Sequence, residues 1–198
     1  MKLFERVIGL IARTCFFVWN CRRFGSLGWG SYIRRPLLVA HRKALHFGRN
    51  VFMRDFVRLE PVVNWNGQAS NPVIIIGDNV SFEQCCHITC AGEVTVGKDC
   101  VFAAFSCITD IDHNYEDVEV SIFRQGISVK PTAVGDGTFV GMGARIMAGV
   151  SIGKHCVIGT NSVVKHSIPD YCVAVGSPAR IIRRYDPTQK CWVKVSQV

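Results

Sequence analysis

A six-residue repeat runs without interruption from Val134 to Pro169, and it constrains the fold more than any other feature of the chain. The blocks read VGDGTF, VGMGAR, IMAGVS, IGKHCV, IGTNSV and VKHSIP, so a branched aliphatic residue opens each block and a small residue usually follows. If the chain turns by roughly 120° after each block, three blocks return it to its starting side one layer away, at about 4.8 Å. The pattern therefore predicts a triangular solenoid.

The residues that open the blocks are expected to form its core. Each should stack on the residue eighteen positions further along, so that every layer buries the one below it. Glycine is favoured at the second place of a block because a corner requires a positive φ or a missing Cβ. The predicted core positions are Val134, Val140, Ile146, Ile152, Ile158 and Val164, and the corner glycines are Gly135, Gly141, Gly153 and Gly159.

The same spacing occurs upstream with two disturbances. It is present at Ile76, Phe82 and Ile88 and again at Val96, Phe102 and Ile108. A slip of two residues between Ala91 and Thr95 predicts a small bulge between layers. The spacing is lost between Asp112 and Val134, which predicts an extruded loop over 114–133, and insertions of this kind often carry functional residues.

Composition favours one extended domain in a reducing compartment. The chain has 198 residues, 48% of them hydrophobic, and no Ser/Pro/Gly-rich linker divides it. Three of the ten cysteines, Cys86, Cys100 and Cys156, fall at the fifth place of a block, where a small buried residue is wanted, and no CxxC pair occurs. We therefore expect free thiols and a cytoplasmic protein.

Positive charge is concentrated at the start of the chain. Residues 1–54 hold eleven Lys or Arg and one Glu, a net charge of +10, whereas residues 55–198 hold twelve basic and fourteen acidic residues, a net charge of −2. The first residues place apolar side chains on one helical stripe, which predicts an amphipathic helix. The stripe consists of Leu3, Val7, Leu10, Ile11, Thr14 and Val18, with Lys2, Arg6 and Arg13 beside it.

Two compatible roles for this helix stay open. It caps the first coil, which would otherwise expose an apolar layer and strand edges, or it lies in a membrane interface. In the second case residues 1–35 are the contact, with Phe16, Phe17 and Trp19 among the headgroups and Arg22, Arg23, Arg34 and Arg35 toward anionic lipid. The apolar run is shorter than the roughly 20 residues that cross a bilayer. Nucleic acid is not expected as a partner, because no known binding motif accompanies the charge.

The chemistry is expected where the repeat breaks. The break begins ITDIDHNYED, which places His113 beside Asp110 and Asp112 at the mouth of the loop. An imidazole titrates near neutral pH, so it can take a proton from a hydroxyl group as that oxygen attacks a carbonyl. A neighbouring carboxylate can orient the ring and stabilise the imidazolium. We predict His113 as the catalytic residue with Asp110 and Asp112 as substrate-binding groups, and the sequence leaves open which carboxylate orients the ring.

The hexapeptide run, the DIDHNY break and the closing segment NSVVKHSIPDYCVAVGSPARIIR resemble the hexapeptide-repeat acetyltransferases. The similarity is strongest to the galactoside and maltose type and to polysaccharide-biosynthesis O-acetyltransferases, and it covers residues from about Ile76 to Arg184. The closing segment is the most specific part, because an SVV…IP…VGSPAR ending is typical of the CoA-dependent branch. The resemblance implies a left-handed parallel β-helix, a homotrimer, no metal, and acetyl-CoA in the groove between subunits.

Carried over position by position, the resemblance also implies site residues. His113 matches the family's general base, which deprotonates the acceptor hydroxyl for direct attack on the thioester. The CoA contacts map to the late coils, at Gly141, Ala144, Gly159 and Thr160, where small residues let the pantetheine approach the backbone. Basic residues expected to face the CoA phosphates are Lys165, Arg180 and Arg183.

The chain departs from the galactoside enzymes in two places. His87 in CCHIT stands where many of them have an asparagine from the neighbouring subunit, so it binds the acceptor hydroxyl, assists its deprotonation, or has a structural role. The basic arm replaces a short acidic-rich helical start, which suggests a polymer-precursor or lipid-linked saccharide as acceptor.

These inferences give one organisation and one function. We expect an all-β protein with a basic arm at 1–44, a β-helix at 45–170 and a tail at 171–198 that contributes to the CoA site. We expect it to move an acetyl group from acetyl-CoA to a saccharide hydroxyl in surface polysaccharide biosynthesis, as a cytoplasmic protein with peripheral membrane contact.

Two other classes of protein share the solenoid. A γ-type carbonic anhydrase holds zinc with three histidines at a subunit boundary. It would show a second His about five residues after the first, where this chain has Val118. A non-catalytic binding module is the other alternative, although such solenoids rarely keep a polar loop with a histidine at its mouth.

Overall fold

The structure is a computed structural model that describes residues 2–195, with the side chains of Val7 and of residues 9–195. This part of the chain forms one α-helix, short 3₁₀ turns at Arg42–Ala44 and Ile122–Arg124, and 25 strands. In chain order these are α1 Lys2–Asn20, β1 Ser26–Leu27, β2 Tyr32–Ile33, β3 Leu38–Val39, β4 Leu45–Phe47, β5 Phe52–Met53, β6 Arg58–Pro61, β7 Asn64–Trp65, β8 Gln68–Ala69, β9 Val73–Ile76, β10 Ser81–Phe82, β11 His87–Cys90, β12 Glu93–Val96, β13 Val101–Phe102, β14 Cys107–Thr109, β15 Ile111–His113, β16 Ile127–Val129, β17 Thr132–Val134, β18 Phe139–Val140, β19 Arg145–Ile146, β20 Ser151–Ile152, β21 Val157–Ile158, β22 Val163–Val164, β23 Cys172–Gly176, β24 Ala179–Asp186 and β25 Cys191–Lys194.

The strands form the three faces of a left-handed parallel β-helix, which confirms the predicted fold class. The first face has the order β1-β4-β9-β12-β17-β20, the second begins β2-β5-β10-β13-β18-β21-β23, and the third is β3-β6-β11-β14-β19-β22. All these pairs are parallel. At the C-terminal end β24 and β25 extend the second face by antiparallel pairing.

The predicted core register is confirmed in the late coils. Val134 pairs with Ile152, Val140 with Ile158, and Ile146 with Val164, each eighteen positions apart. All six are at most 3% exposed, so each coil covers the apolar layer of the next. In the earlier coils the partners are twenty positions apart where no hairpin intervenes, as Phe82 and Phe102 show by pairing in register and stacking with ring centroids 4.4 Å apart.

Two extra residues at a corner account for the predicted slip near Ala91. The buried carboxylate of Asp110 accepts the backbone N–H groups of Ala91 at 2.8 Å and Gly92 at 2.7 Å. These bonds satisfy amides that a wider corner removes from the strand ladder. The bulge is therefore stabilised by hydrogen bonds to a carboxylate of the next coil.

The solenoid begins earlier than predicted. Ser26 and Leu27 pair in parallel with His46 and Phe47, so a complete coil lies inside the segment 1–44 that we expected to be an arm. The six-residue spacing is present in this coil, at Leu27, Ile33 and Val39, but it escaped detection because the step from Val39 to Phe47, at the third corner, is two residues longer. At the other end Val173 pairs with Val157, so the tail predicted from residue 171 continues the helix before it turns back.

Helix α1 packs on the first coil, as the capping hypothesis predicts. The Phe16 ring lies edge-on to Tyr32 at 5.5 Å, the Phe17 ring edge-on to Trp29 at 5.3 Å, and the Arg13 guanidinium donates to the carbonyl of Gly30 at 3.3 Å. The predicted apolar stripe does not make this contact. Val7, Leu10, Ile11 and Val18 are 47 to 66% exposed, and Leu3 is among the residues whose side chains are not described.

Two hairpins leave the solenoid from the corner between the third and first faces. One is β7–β8, between β6 and β9, and the other is β15–β16, between β14 and β17. The second hairpin is the predicted extruded loop, and its two strands pair from Ile111 with Val129 to His113 with Ile127.

The structure agrees with two expectations from the sequence, namely free thiols and a helix that does not span a bilayer. All ten cysteines lie within the described residues as free thiols, and burial raises the pKa of Cys86 and of Cys100 to about 11. No helix within residues 2–195 combines the length and the hydropathy needed to cross a bilayer.

Candidate active site

His113 ends strand β15, and the surrounding backbone fixes its position. The amide of Asn114 donates to the carbonyl of Gly126 at 3.2 Å, and the amide of Lys130 donates to the carbonyl of Asp110 at 2.8 Å, so the hairpin is held at both ends of the strand. The His113 side chain is exposed, and its ring faces a cavity of about 360 Å³. The imidazole is therefore reachable from solvent.

Trp65 on the other hairpin forms the wall against this imidazole. The Trp65 and His113 rings meet edge to face with centroids 5.0 Å apart. Phe123, which belongs to the same hairpin as His113, also packs on Trp65, with ring centroids 5.7 Å apart. The indole N–H of Trp65 donates to the carbonyl of Gln125 at 3.2 Å, and the Asn66 side chain donates to the carbonyl of Phe123. The two hairpins thus support each other.

The corner of the coil between these hairpins, at Ala91 and Gly92, carries no hairpin of its own, and this lets the two hairpins touch. The coil between them turns at Ala91 and Gly92 without an insertion. A Cβ on Gly92 would lie 2.7 Å from Val129 and 3.3 Å from the Asp110 carboxylate, so only glycine fits beneath the His113 hairpin. The Trp65 hairpin therefore reaches across one coil to the next.

The third face supplies a polar floor to the cavity. Glu60, Thr89 and Thr109 lie side by side in register on β6, β11 and β14, and all three line the cavity with His113. Its remaining walls are Val62, Trp65, Cys107, Ile111 and Ile127. An apolar rim above a row of oxygen acceptors suits a ligand that carries several hydroxyl groups.

Glu60 is the charged group of this floor. Arg58 donates to its two carboxylate oxygens at 2.8 and 2.7 Å, and this bidentate contact lowers the pKa of Glu60. The carboxylate is therefore ionised at neutral pH and accepts hydrogen bonds only.

His87 belongs to the same cluster but does not line the cavity. Its Nε2 lies 2.8 Å from the Thr89 hydroxyl and 3.5 Å from the Glu60 carboxylate. Burial lowers the pKa of His87, and the nearby Arg58 lowers it further, so the ring is neutral at neutral pH. His87 is thus placed to hold Thr89 and Glu60 behind the cavity.

The two predicted carboxylates are not brought to the imidazole. Asp110 is fully buried and fastens the corner at Ala91 and Gly92. Asp112 is exposed, and its carboxylate accepts the backbone N–H of His113 at 3.1 Å. Among the described residues neither carboxylate makes a hydrogen bond to the His113 ring, whereas the Trp65 ring packs against it.

The small residues predicted to contact CoA meet at one corner, between the second and third faces. The amide of Gly141 donates to the carbonyl of Ile158 at 2.8 Å, which brings Gly141 beside Gly159 and the exposed Thr160. A Cβ on Gly141 would lie 2.7 Å from the backbone of the next coil, so coil stacking already requires this glycine. Ala144 is fully buried and offers no side-chain contact to a ligand.

The predicted phosphate contacts lie at the C-terminal end of the solenoid. Lys165 follows β22, and Arg180 and Arg183 lie on β24; all three side chains are exposed. No group of three or more His, Cys, Asp and Glu side chains in residues 2–195 is placed to hold a metal ion.

Trp65 and Glu60 are site residues that the sequence reasoning missed. Both precede Ile76, where the hexapeptide spacing is too weak to place them. One local signal was available, because Asn66-Gly67 is the dipeptide most typical of a two-residue hairpin turn. Both residues have positive φ, 48° and 86°, and Trp65 pairs with Gln68 across the turn.

The comparisons with known proteins agree with the repeat. The family model described as bacterial transferase hexapeptide (six repeats) matches residues 131–166. The putative lipopolysaccharide biosynthesis O-acetyl transferase WbbJ of Escherichia coli K12 is 29% identical over 96% of this chain and 93% of its own length. The probable acetyltransferase Rv3034c of Mycobacterium tuberculosis is 35% identical over 46% of this chain, which spans only 30% of that protein.

Solved structures show the same fold. The maltose O-acetyltransferase of Clostridium difficile 630 is 27% identical, with a TM-score of 0.54 over 83% of this chain and 72% of that one. The predicted resemblance is confirmed: the chain carries the hexapeptide repeat and is similar to proteins named as saccharide acetyltransferases.

Proposed function

We propose that the protein transfers an acetyl group from acetyl-CoA to a saccharide hydroxyl, with His113 as general base. The observation that carries this proposal is the exposed His113 ring at a cavity whose floor is Glu60, Thr89 and Thr109. Hydroxyl groups of a sugar find acceptors on this floor, while the imidazole takes the proton of the one that reacts. The similarity to WbbJ supports a role in surface polysaccharide biosynthesis.

The proposed reaction is a direct transfer. His113 removes the proton from the acceptor hydroxyl as its oxygen attacks the thioester carbonyl. The carbon–sulfur bond then breaks, and the CoA thiolate leaves with the proton that the imidazolium returns, so no acetyl-enzyme forms. Trp65 fixes the ring plane, and the Glu60 carboxylate accepts a second hydroxyl of the sugar and orients it.

We further propose that the working unit is a homotrimer. The flat faces of the solenoid offer large contact surfaces, and a cofactor as long as CoA needs a second wall. The donor then lies along the corner of Gly141 and Gly159, with Thr160 beside the pantetheine and its phosphates toward Lys165, Arg180 and Arg183. The tests are the mass of the particle by light scattering and the affinity for CoA of an Arg180→Ala/Arg183→Ala variant.

Substitution of His113 tests the mechanism. In His113→Asn we expect kcat to fall by roughly 100-fold or more, because asparagine keeps the polarity but cannot act as a base. CoA affinity, measured by calorimetry, should stay within about twofold. His155→Asn is the matched control, because His155 is exposed at a different corner. Full turnover by His113→Asn would contradict the proposal, and a wild-type protein that binds CoA but never transfers acetyl would favour a non-catalytic module.

We also propose that helix α1 places the protein on an anionic membrane surface. Its exposed stripe of Leu10, Ile11 and Val18 continues to Trp19, which is 69% exposed, and the exposed Arg22 follows. The protein should sediment with phosphatidylglycerol vesicles and should stay in the supernatant with phosphatidylcholine vesicles. Leu10→Gln/Ile11→Gln should release it without uncovering the first coil, which a deletion of the helix would do. Equal retention of this variant would contradict the membrane proposal.

A further inference from the structure

A second cavity, of about 550 Å³, opens at the same corner of the solenoid as the two hairpins. It lies where the chain passes from β3 to β4, in the first coil. Five basic side chains line it, and we call it the basic pocket: Arg23, His41, Arg42, Lys43 and His46. The opposite wall is formed by Val63 and residues 71–73, the two ends of the Trp65 hairpin.

The charge of the basic pocket is not compensated by acidic groups. No Asp or Glu lines it, and within the described part of the chain Arg23, Arg42 and Lys43 have no carboxylate within 4.0 Å. Elsewhere on these coils the arginines are paired, as Arg34 is with Asp55 at 3.2 Å and Arg58 with Glu60 at 2.7 Å. An uncompensated concave cluster of this kind attracts anions.

Neutral acceptors hold two of the basic side chains in place. The Lys43 ammonium donates to the carbonyl of Arg22 at 2.7 Å, and the Arg42 guanidinium donates to the Asn20 side chain at 3.3 Å, at the end of helix α1. Their positions are thus fixed without loss of charge. A guanidinium keeps further N–H groups free for an oxyanion in the paired geometry that phosphate accepts.

The basic pocket is adjacent to the active-site cavity. Val62 lines the cavity of His113, and Val63, the next residue, lines the basic pocket. Consecutive Cα atoms are about 3.8 Å apart, so the two sites lie on the two sides of one hairpin. The two cavities thus share the Trp65 hairpin as a wall, and a molecule that bridges it would have its anionic end at the arginines and a hydroxyl group at His113.

We propose that the basic pocket binds the diphosphate of a glycosyl-diphosphate acceptor, whose sugar then lies in the His113 cavity. This inference rests on the proposed acetyl transfer to a saccharide. A diphosphate fits the site because its charges match three permanent cations and two histidines in one concavity, whereas a neutral glycan would leave them unpaired. The same chemistry occurs in sugar nucleotides and in isoprenoid-linked sugars.

The test measures binding of three probes to the full chain by calorimetry. Inorganic pyrophosphate tests the shared chemistry, uridine diphosphate tests the nucleotide source, and farnesyl diphosphate tests the isoprenoid source. We expect Arg23→Glu/Arg42→Gln to weaken pyrophosphate binding by at least about tenfold, because it removes two charge-assisted contacts. The control Lys98→Gln/Lys154→Glu changes the net charge by the same amount at a distant corner, and its affinity for pyrophosphate should stay within about twofold of the wild type.

The outcomes are distinct. Tighter binding of one organic diphosphate than of pyrophosphate identifies the source of the acceptor. Equal binding by the variant and the wild type, or absence of pyrophosphate binding to the wild type, overturns the proposal. The proposal is also overturned if Arg23→Glu/Arg42→Gln loses affinity for CoA together with affinity for pyrophosphate, since the pocket would then bind the donor. Arg23→Glu alone, at an exposed position, repeats the test if the double variant does not fold.

Failure of this inference can be told apart from failure of the proposed function. His113→Asn should bind pyrophosphate like the wild type, because the imidazole is outside the basic pocket. If the protein transfers acetyl groups but does not bind pyrophosphate, only the proposal for the basic pocket is contradicted. If it binds pyrophosphate but never transfers acetyl, only the enzymatic proposal is contradicted.

Discussion

The late coils, residues 132–168, and the early coils, residues 26–110, have the same three faces but differ in how their corners are made. Late coils repeat every eighteen residues, and Val134, Val140 and Ile146 stack on identical positions of the next coil. Early coils repeat every twenty residues, or more where a hairpin is inserted. The regular coils show that the repeat alone builds a wall.

The early coils show where such a wall acquires a function. Their wider corners accommodate the buried Asp110 carboxylate, the Trp65 hairpin and the basic pocket, and the His113 hairpin follows directly. At the same edge of the late coils the chain passes directly from β19, which ends at Ile146, to β20, which begins at Ser151, so this corner holds no hairpin. The contrast indicates that the irregular corners of the early coils hold the candidate site of His113, while the regular repeat builds the wall that supports it.

The largest expected effect concerns the regular coils. Ile158→Ala should lower the free energy of unfolding by about 2 to 5 kcal/mol, because Ile158 is fully buried between coils and the truncated side chain leaves a cavity. Its neighbour Val157 is 36% exposed on the outer face, so Val157→Ala should cost much less. Urea denaturation of both variants measures the difference, and similar losses would contradict the predicted stacking.

The second effect tests the wider corner. Asp110→Asn should lower the free energy of unfolding by about 1.5 to 3 kcal/mol, because it weakens two charge-assisted bonds to the amides of Ala91 and Gly92. Asp112→Asn changes the same group two residues away at an exposed position and should be nearly neutral. If Asp112→Asn instead abolished turnover, that exposed carboxylate would have a catalytic role that the structure does not indicate.

The third effect tests the contact between the two hairpins. Trp65→Ala should reduce kcat by about tenfold with little loss of stability, because the His113 ring loses the wall that orients it. Trp29→Ala, at a tryptophan that packs on helix α1, is the control and should leave kcat unchanged. Unchanged turnover in Trp65→Ala would mean that the hairpins meet without consequence for catalysis.

The smallest effect is a pH dependence of stability. The pKa of His87 is lowered by burial, so on acidification the unfolded chain takes up the proton before the folded one does. Stability is full above the ordinary histidine value of about 6.5 and declines as the pH falls toward the lower folded pKa. His87→Gln should flatten this decline between about pH 7 and 5 in thermal unfolding. The lowered pKa of Glu60 acts at more acid pH, because its stabilisation is lost only as the pH falls through that folded value.

Prediction from the sequence succeeded where a repeat was visible. The core positions, the bulge after Cys90 and the loop after Asp112 all follow from six-residue spacing, and their burial or pairing confirms them. The first coil was missed although Leu27, Ile33 and Val39 keep the six-residue spacing, because the longer third corner shifts the phase before the next coil. The Trp65 hairpin was missed because an insertion has no period to count. The DIDHNY break led to the prediction of His113, and it left open which carboxylate orients the ring; in the structure the Asp110 carboxylate binds the amides of Ala91 and Gly92 instead.

The sequence alone determined that this chain forms stacked three-sided coils and that an imidazole stands where they are interrupted. Inward aliphatic residues at fixed spacing can be buried in few other ways. Only the tertiary structure decided which groups line the cavity of that imidazole and which pocket lies beside it, because Trp65, Glu60 and the basic pocket belong to earlier coils, far from His113 in the sequence. Corner geometry, set by packing against the next coil, aligns them on one edge of the solenoid, and local sequence carries no information about that alignment.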